Sequence, residues 1–140
     1  MIARPEFESR LNNLLRTGLG SGIPKDWQDQ LVLLGAALTA IPIGSEHSEA
    51  QINDLLREWL EAVFPQAVQV DHVKLRRYLV DAGLLERDPA GRRYRVARDS
   101  WKKRFSFSVW ETDPRRLAAD LAAERRRRRE EWQKRSGRSE

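Results

Sequence analysis

Three groups of cationic side chains are the part of this sequence best suited to chemistry. Lys74, Arg76 and Arg77 fall within one helical turn; Arg87, Arg92, Arg93 and Arg95 flank a proline-glycine turn; Arg125, Arg126, Arg127, Arg128 and Arg129 are consecutive. A guanidinium presents five N–H donors in a rigid fork that matches phosphate oxygens and the acceptor edge of guanine. On a helix, Lys74, Arg76 and Arg77 would approach phosphates or base edges in a major groove. On a hairpin, Arg87, Arg92, Arg93 and Arg95 would approach the backbone or a narrow minor groove. A competing reading is protein docking. There Val73 and Val80 pack against another element, Asp81 pairs with Arg77 one turn back, and the hairpin charges only protect an edge strand from aggregation.

The arginine run allows no such packing. Five consecutive residues on a helix point in every direction, so they share no buried face. Glu124 and Arg128 form an i,i+4 pair that supports helix there. The segment is expected to be a polyanion-binding arm, with a solvated charge run as the alternative.

Other chemistry finds little footing. Cysteine is absent, which excludes disulfides and thiolate metal sites. Of the two histidines, His47 stands near Glu46 and Glu49 at a helix start, a surface position rather than a metal site. "GLGSG" precedes Ile23-Pro24, so it lacks the context of a phosphate loop. No enzymatic activity, metal or cofactor is expected. "MIARPEFESR" has no signal-peptide core, and the apolar run "LVLLGAALTAIPI" is shorter than the roughly 20 residues of a membrane helix.

Charge divides along the chain: net −4 over residues 1–70, +4 over 71–98 and +4 over 113–140. The acidic half should meet solvent or a protein partner, and the basic half a polyanion.

The elements that would position these groups follow from periodicity and capping. Phe7, Leu11, Leu14 and Leu15 recur at helical spacing over 5–17, and Trp27, Leu31, Leu34 and Leu38 do so over 25–40. "IPI" at 41–43 fits a short strand. "SEAQ" at 48–51 is a capping box for a helix with Ile52, Leu55, Leu56 and Trp59 or Leu60 inward. Asp71 caps the next helix, whose core face is Leu75, Tyr78, Leu79 and Ala82, and Gly83 ends it. "LLER" and "RRYRV" are strands joined by "DPAG", a type I turn with a glycine bulge. Trp101, Phe105, Phe107 and Val109 alternate as in a strand, and Asp113-Pro114 open a final helix.

The central residues resemble a known family, the prokaryotic domain of unknown function 2087. Ser48, Glu49, Ile52, Asn53 and Leu56 match its first block, with Gln51 where the family has Glu. Asp71, Leu75, Arg76, Arg77, Leu79, Val80, Asp81, Gly83, Leu85 and Arg87 match the second without a gap, and Gly91 and Tyr94 match the third. The resemblance covers about residues 41–97. It implies a winged-helix-like domain in a regulatory setting, implies no enzyme, and supplies no binding residues.

The expected fold is mainly α with a small β-hairpin (α+β): a winged helix-turn-helix with extra N-terminal helices and a C-terminal basic helix. Its expected segments are an N-terminal helix and loop (1–22), the winged helix (23–98), an aromatic-rich strand or connector (99–112) and the arginine-rich helix (113–140). The expected function is nucleic-acid binding, DNA ahead of RNA, in transcription regulation in the cytoplasm. The alternative is an interaction module docking on a polymerase or ribosome through the acidic half, with the arm on nucleic acid. Insertion into a membrane is not expected.

Overall fold

Four short polar side chains start four of the helices. Asp26 accepts from the Asp29 amide at 2.9 Å and opens α2 (Trp27–Leu38). Ser48 and Gln51 form the reciprocal capping box of α3 (Glu49–Val63), at 3.2 and 2.8 Å. Asp71 accepts from the Lys74 amide at 2.7 Å and opens α4 (His72–Asp81). Asp113 accepts from the Arg115 and Arg116 amides and opens α6 (Pro114–Arg138). Each satisfies backbone donors that a helix start leaves unpaired. The remaining helices are α1 (Arg4–Thr17) and the short α5 (Arg98–Arg104). This computed structural model describes residues 1–138; the last two residues of the expected arm, 139–140, lie outside the described residues.

Helix α4 ends in a paired stop. Gly83, at φ 74°, donates to the Val80 carbonyl, and Leu84 donates to that of Leu79, both at 3.0 Å. This left-handed exit suits glycine, and it buries Leu84 beneath the helix. The chain then forms β2 (Leu85–Arg87) and β3 (Arg93–Val96) around the Asp88–Gly91 turn. A third strand, β1 (His47–Ser48), pairs with the other side of β3. The sheet is antiparallel, in the order β1-β3-β2.

That first strand is not at 41–43, where the sequence pattern put it. Pro42 offers no amide to a ladder, and Gly44 turns the chain at φ 86°. The extended backbone that Ser48 needs as a cap carries His47 and Ser48 into register with Tyr94 and Arg93 instead.

The strand expected at 101–109 is likewise absent. Trp101 and Phe105 are four apart, a spacing that serves one helical face as well as alternate strand positions. They frame the end of α5, and a 3-10 helix follows at Phe107–Glu111. Trp101, Phe105 and Val109 are buried, but Phe107 is 75% exposed. Phe105 makes a parallel bridge with Ile2 and meets Phe7 edge-on, with ring centroids 5.8 Å apart. It lies so close over Gly35 of α2 that a Cβ there would come within 2.7 Å of its ring. Trp27, expected inward, stands half-exposed at the start of α2 beneath Arg104, 5.4 Å from its ring centroid.

One continuous core runs from Ile2 and Phe7 through α2, α3 and α4 to Phe105 and Val109. Leu75 and Leu79 are fully buried in it, as is Trp59, while Tyr78 and Ala82 are only partly covered. Helix α6 packs its first turns on α1 and α3 through Leu117, Ala118 and Leu121.

Candidate nucleic-acid interface

Helix α4 separates its three basic residues. Lys74 is exposed, and its Nζ reaches the Gln69 carbonyl at 3.1 Å. Arg77 is exposed, and among the described residues its side chain makes neither a hydrogen bond nor an ion pair; in particular, it does not pair with Asp81. Arg76 turns inward. Its side chain is 12% exposed, with an ion pair to Glu49 at 2.9 Å, a hydrogen bond to the Asn53 side-chain oxygen, and a place over the Tyr94 ring. This guanidinium fastens α4 to α3 and β3, so it is not among the groups offered to a ligand. Glu49, Asn53, Arg76 and Tyr94 come from all three blocks of the family resemblance, which thus meet in one cluster.

The outer side of α4 is uncovered. Arg77 and Asp81 are exposed, Val73 is half-buried, and Val80 is half-buried against the core.

The hairpin arginines divide by the pleat. Side chains alternate between sheet faces, so residues paired across strands share a face. Arg87 pairs with Tyr94, whose ring is buried towards α4. Arg87 consequently leans into a cleft of about 230 Å³ that it lines with Arg76, Arg77, Val80, Asp81 and Tyr94. Arg95 pairs with Glu86 on the opposite, solvent face and forms an ion pair with it at 3.2 Å. Arg93 alternates onto that face, and a depression at the hairpin edge is lined by Glu46, Glu86, Asp88, Arg93 and Arg95 together with Arg87 and Tyr94, so Arg87 borders both surfaces. Arg92 stands exposed at the turn.

Asp88 shapes that turn. It accepts from the Arg92 and Arg93 amides at 2.7 and 3.2 Å, and these bonds hold its carboxyl below the usual carboxylate range. Gly91, at φ 69°, takes the bulge position that only glycine adopts freely. The tip is therefore shaped before any ligand arrives.

The hairpin and α4 thus offer two cationic surfaces. One is the cleft of Arg77 and Arg87, with neither guanidinium paired among the described residues. The other is the outer face of Arg93 and Arg95, diluted by carboxylates. All four arginines are legible in the sequence, but only as neighbours along the chain. The register of β2 against β3, which sorts the hairpin arginines, depends on which strand residues reach the core.

On α6, Arg125 donates to the Arg16 carbonyl at 3.0 Å and Arg128 pairs with Glu124 at 2.6 Å. Arg126, Arg127 and Arg129 are exposed. Among the described residues, no cluster of three or more His, Cys, Asp or Glu could hold a metal ion, and no helix is long and apolar enough to cross a membrane. His47 faces Ser45 and the Pro42 carbonyl, and His72 lies 3.4 Å from Arg57.

A family profile described as "Uncharacterized protein conserved in bacteria (DUF2087)" matches residues 21–96. The chain belongs to this family. The matched stretch begins before α2 and ends at the last residue of β3, so for this family member it takes in helix α4, the three-stranded sheet and the cleft between them. No match was found among curated proteins or among solved structures.

Proposed function

We propose that this protein binds nucleic acid as a winged helix, with α4 as the recognition helix and the β2–β3 hairpin as the wing, in a DNA-binding regulatory role. The reading is supported by the order helix, strand, helix, helix, hairpin and by the central position of β3, an arrangement used to set a helix in a major groove. One observation carries it. Arg77 from α4 and Arg87 from the hairpin, both exposed and unpaired among the described residues, converge on one cleft from the two elements that would straddle a phosphate backbone. A helix buried by docking within its own chain would have no such face to offer. The arginine half of α6 supplies a second polyanion-binding surface.

Titration of duplex DNA at several salt concentrations tests the proposal. Arg77→Ala and Arg87→Ala should each weaken binding and lower the log–log salt slope by about 1 for each phosphate no longer neutralised. Arg95→Ala, already neutralised by Glu86, should matter less. Equal affinity and slope for wild type, Arg77→Ala and Arg87→Ala would reject the cleft as the interface.

A further inference from the structure

Helix α6 outruns the body that holds it. Its inward stripe of Leu117, Ala118 and Leu121 packs on α1 and α3, whereas residues 125–137 are all exposed. Arg125 donates to the Arg16 carbonyl, and Arg125, Arg126 and Arg129 line a groove with the ends of α1 and α3, so the free projection begins after Arg129; at 1.5 Å per residue it extends about 13 Å. Trp132 lies on this projection and is 69% exposed. A large indole left in water on a charged helix forgoes the burial that normally determines its place.

The neighbours of Trp132 are not random. At about 100° per residue, Arg125, Arg128, Arg129 and Arg135 all fall within about 60° of it around the helix. Glu130 and Glu131 fall about 160° and 100° away. The arginine run looks directionless from its own five residues; measured from Trp132, it has a face. Residues 125–138 carry eight basic and two acidic side chains, so the ligand is polyanionic.

We infer that the projecting end of α6 is a base-stacking arm: Trp132 packs on an unpaired base of a single-stranded or looped nucleic acid while the neighbouring arginines, Arg129 and Arg135 ahead of Arg125 and Arg128, which the chain already holds, take its phosphates. The inference rests on the polyanion reading of this arm and gives it a ligand class. A membrane-surface helix needs an apolar face, and a helix bound in a protein groove needs anchors at i, i+3, i+4 and i+7. Beyond Leu121, Trp132 is the only large apolar side chain on α6. A lone π-face among guanidinium groups matches a base and its phosphates. The base must be unpaired, because the bases of a duplex are already stacked on one another.

The test compares full-length protein with Trp132→Ala by fluorescence anisotropy. The probes are a 15-nucleotide single-stranded RNA, the DNA of the same sequence, the corresponding duplex DNA, and vesicles rich in anionic phospholipid. Removal of one stacking platform should weaken single-strand binding about ten-fold, with the salt slope unchanged because every phosphate-binding arginine remains. Duplex binding should stay within about two-fold. Whichever of the RNA and DNA strands suffers the larger drop identifies the source of the base. In a Trp27→Phe background, which removes the other strongly exposed tryptophan, the single strand should also shield Trp132 from acrylamide quenching. Equal single-strand affinity for both proteins, an equal drop on duplex, or a drop confined to vesicles overturns the inference. Failure of the Arg77 and Arg87 variants alone, with the Trp132 effect intact, would instead sink the cleft reading and leave the arm standing.

Discussion

The Arg76 guanidinium lies 2.9 Å from the Glu49 carboxylate and caps the buried ring of Tyr94 at 6.0 Å. One turn of α3, the middle of α4 and the central strand thus share one cation. Arg77, the next residue, is exposed at the mouth of the cleft and makes no hydrogen bond or ion pair among the described residues. Adjacent arginines on one helix therefore have different work.

Arg76→Ala should accordingly act on stability. Hydrogen bonds to charged groups contribute about 1.5–3 kcal/mol each, and half of Glu49 remains solvated, so a loss of about 1–2 kcal/mol is expected. For a chain of this size, that lowers Tm by roughly 3–8 °C. Thermal melts check this beside duplex-DNA titrations of the same variant at a temperature where it is folded. An unchanged Tm with a large affinity loss would return Arg76 to the ligand face.

Asp81 lies in the same cleft as Arg77 and Arg87 without pairing with Arg77. Its charge opposes an incoming phosphate. At about 6 Å in water, that repulsion is about 0.7 kcal/mol. Asp81→Asn should therefore tighten duplex-DNA binding about three-fold at low salt, with a smaller gain at high salt. Weaker binding by Asp81→Asn would mean that the carboxylate positions something the ligand needs.

Glu8 and Asp88 should both add to acid sensitivity, and Glu8 ties α1 to Thr112. The Arg4 guanidinium, at 2.7 Å, and the buried Thr112 hydroxyl, at 2.9 Å, hold its carboxyl below the ordinary glutamate range. A depressed folded value stabilises the fold above the ordinary range, and the contribution fades as pH falls through the depressed value. Glu8→Gln should melt lower than wild type at neutral pH, and the gap should narrow on acidification. Melting temperatures measured across pH 2–7 follow this; a constant gap would assign the loss to packing alone.

Removal of residues 125–140 should leave Tm within about 2 °C, because the apolar stripe of α6 ends before them and only the exposed Arg125–Arg16 bond is lost with them. Low-salt affinity for nucleic acid should fall and its salt slope should flatten as counterion release diminishes. Sequence preference on duplex DNA should survive, since preference comes from base edges and groove shape. A large drop in Tm would make the distal helix part of the fold.

The sequence by itself determined five of the described α-helices, all but α5. Caps are local: Ser48 with Gln51, Asp71 with the Lys74 amide, and Gly83 at positive φ each need only a few neighbouring residues. The core face of α4 followed from period, and the hairpin followed from the proline and glycine of the Asp88–Gly91 turn. The tertiary structure decided what the chain cannot encode locally. Trp101 and Phe105 fit helix and strand patterns equally; in the fold Trp101 lies on α5, while Phe105, extended just past its end, bridges Ile2 and packs on Phe7 and Gly35. Arg76 and Arg77 are equivalent in sequence, yet only one finds Glu49 and Asn53, 27 and 23 residues earlier. Arg87 and Arg95 belong to one hairpin, yet strand register sends them to opposite faces. Charge can be counted along a chain, but which charges remain free for a ligand depends on the partners that folding brings within reach.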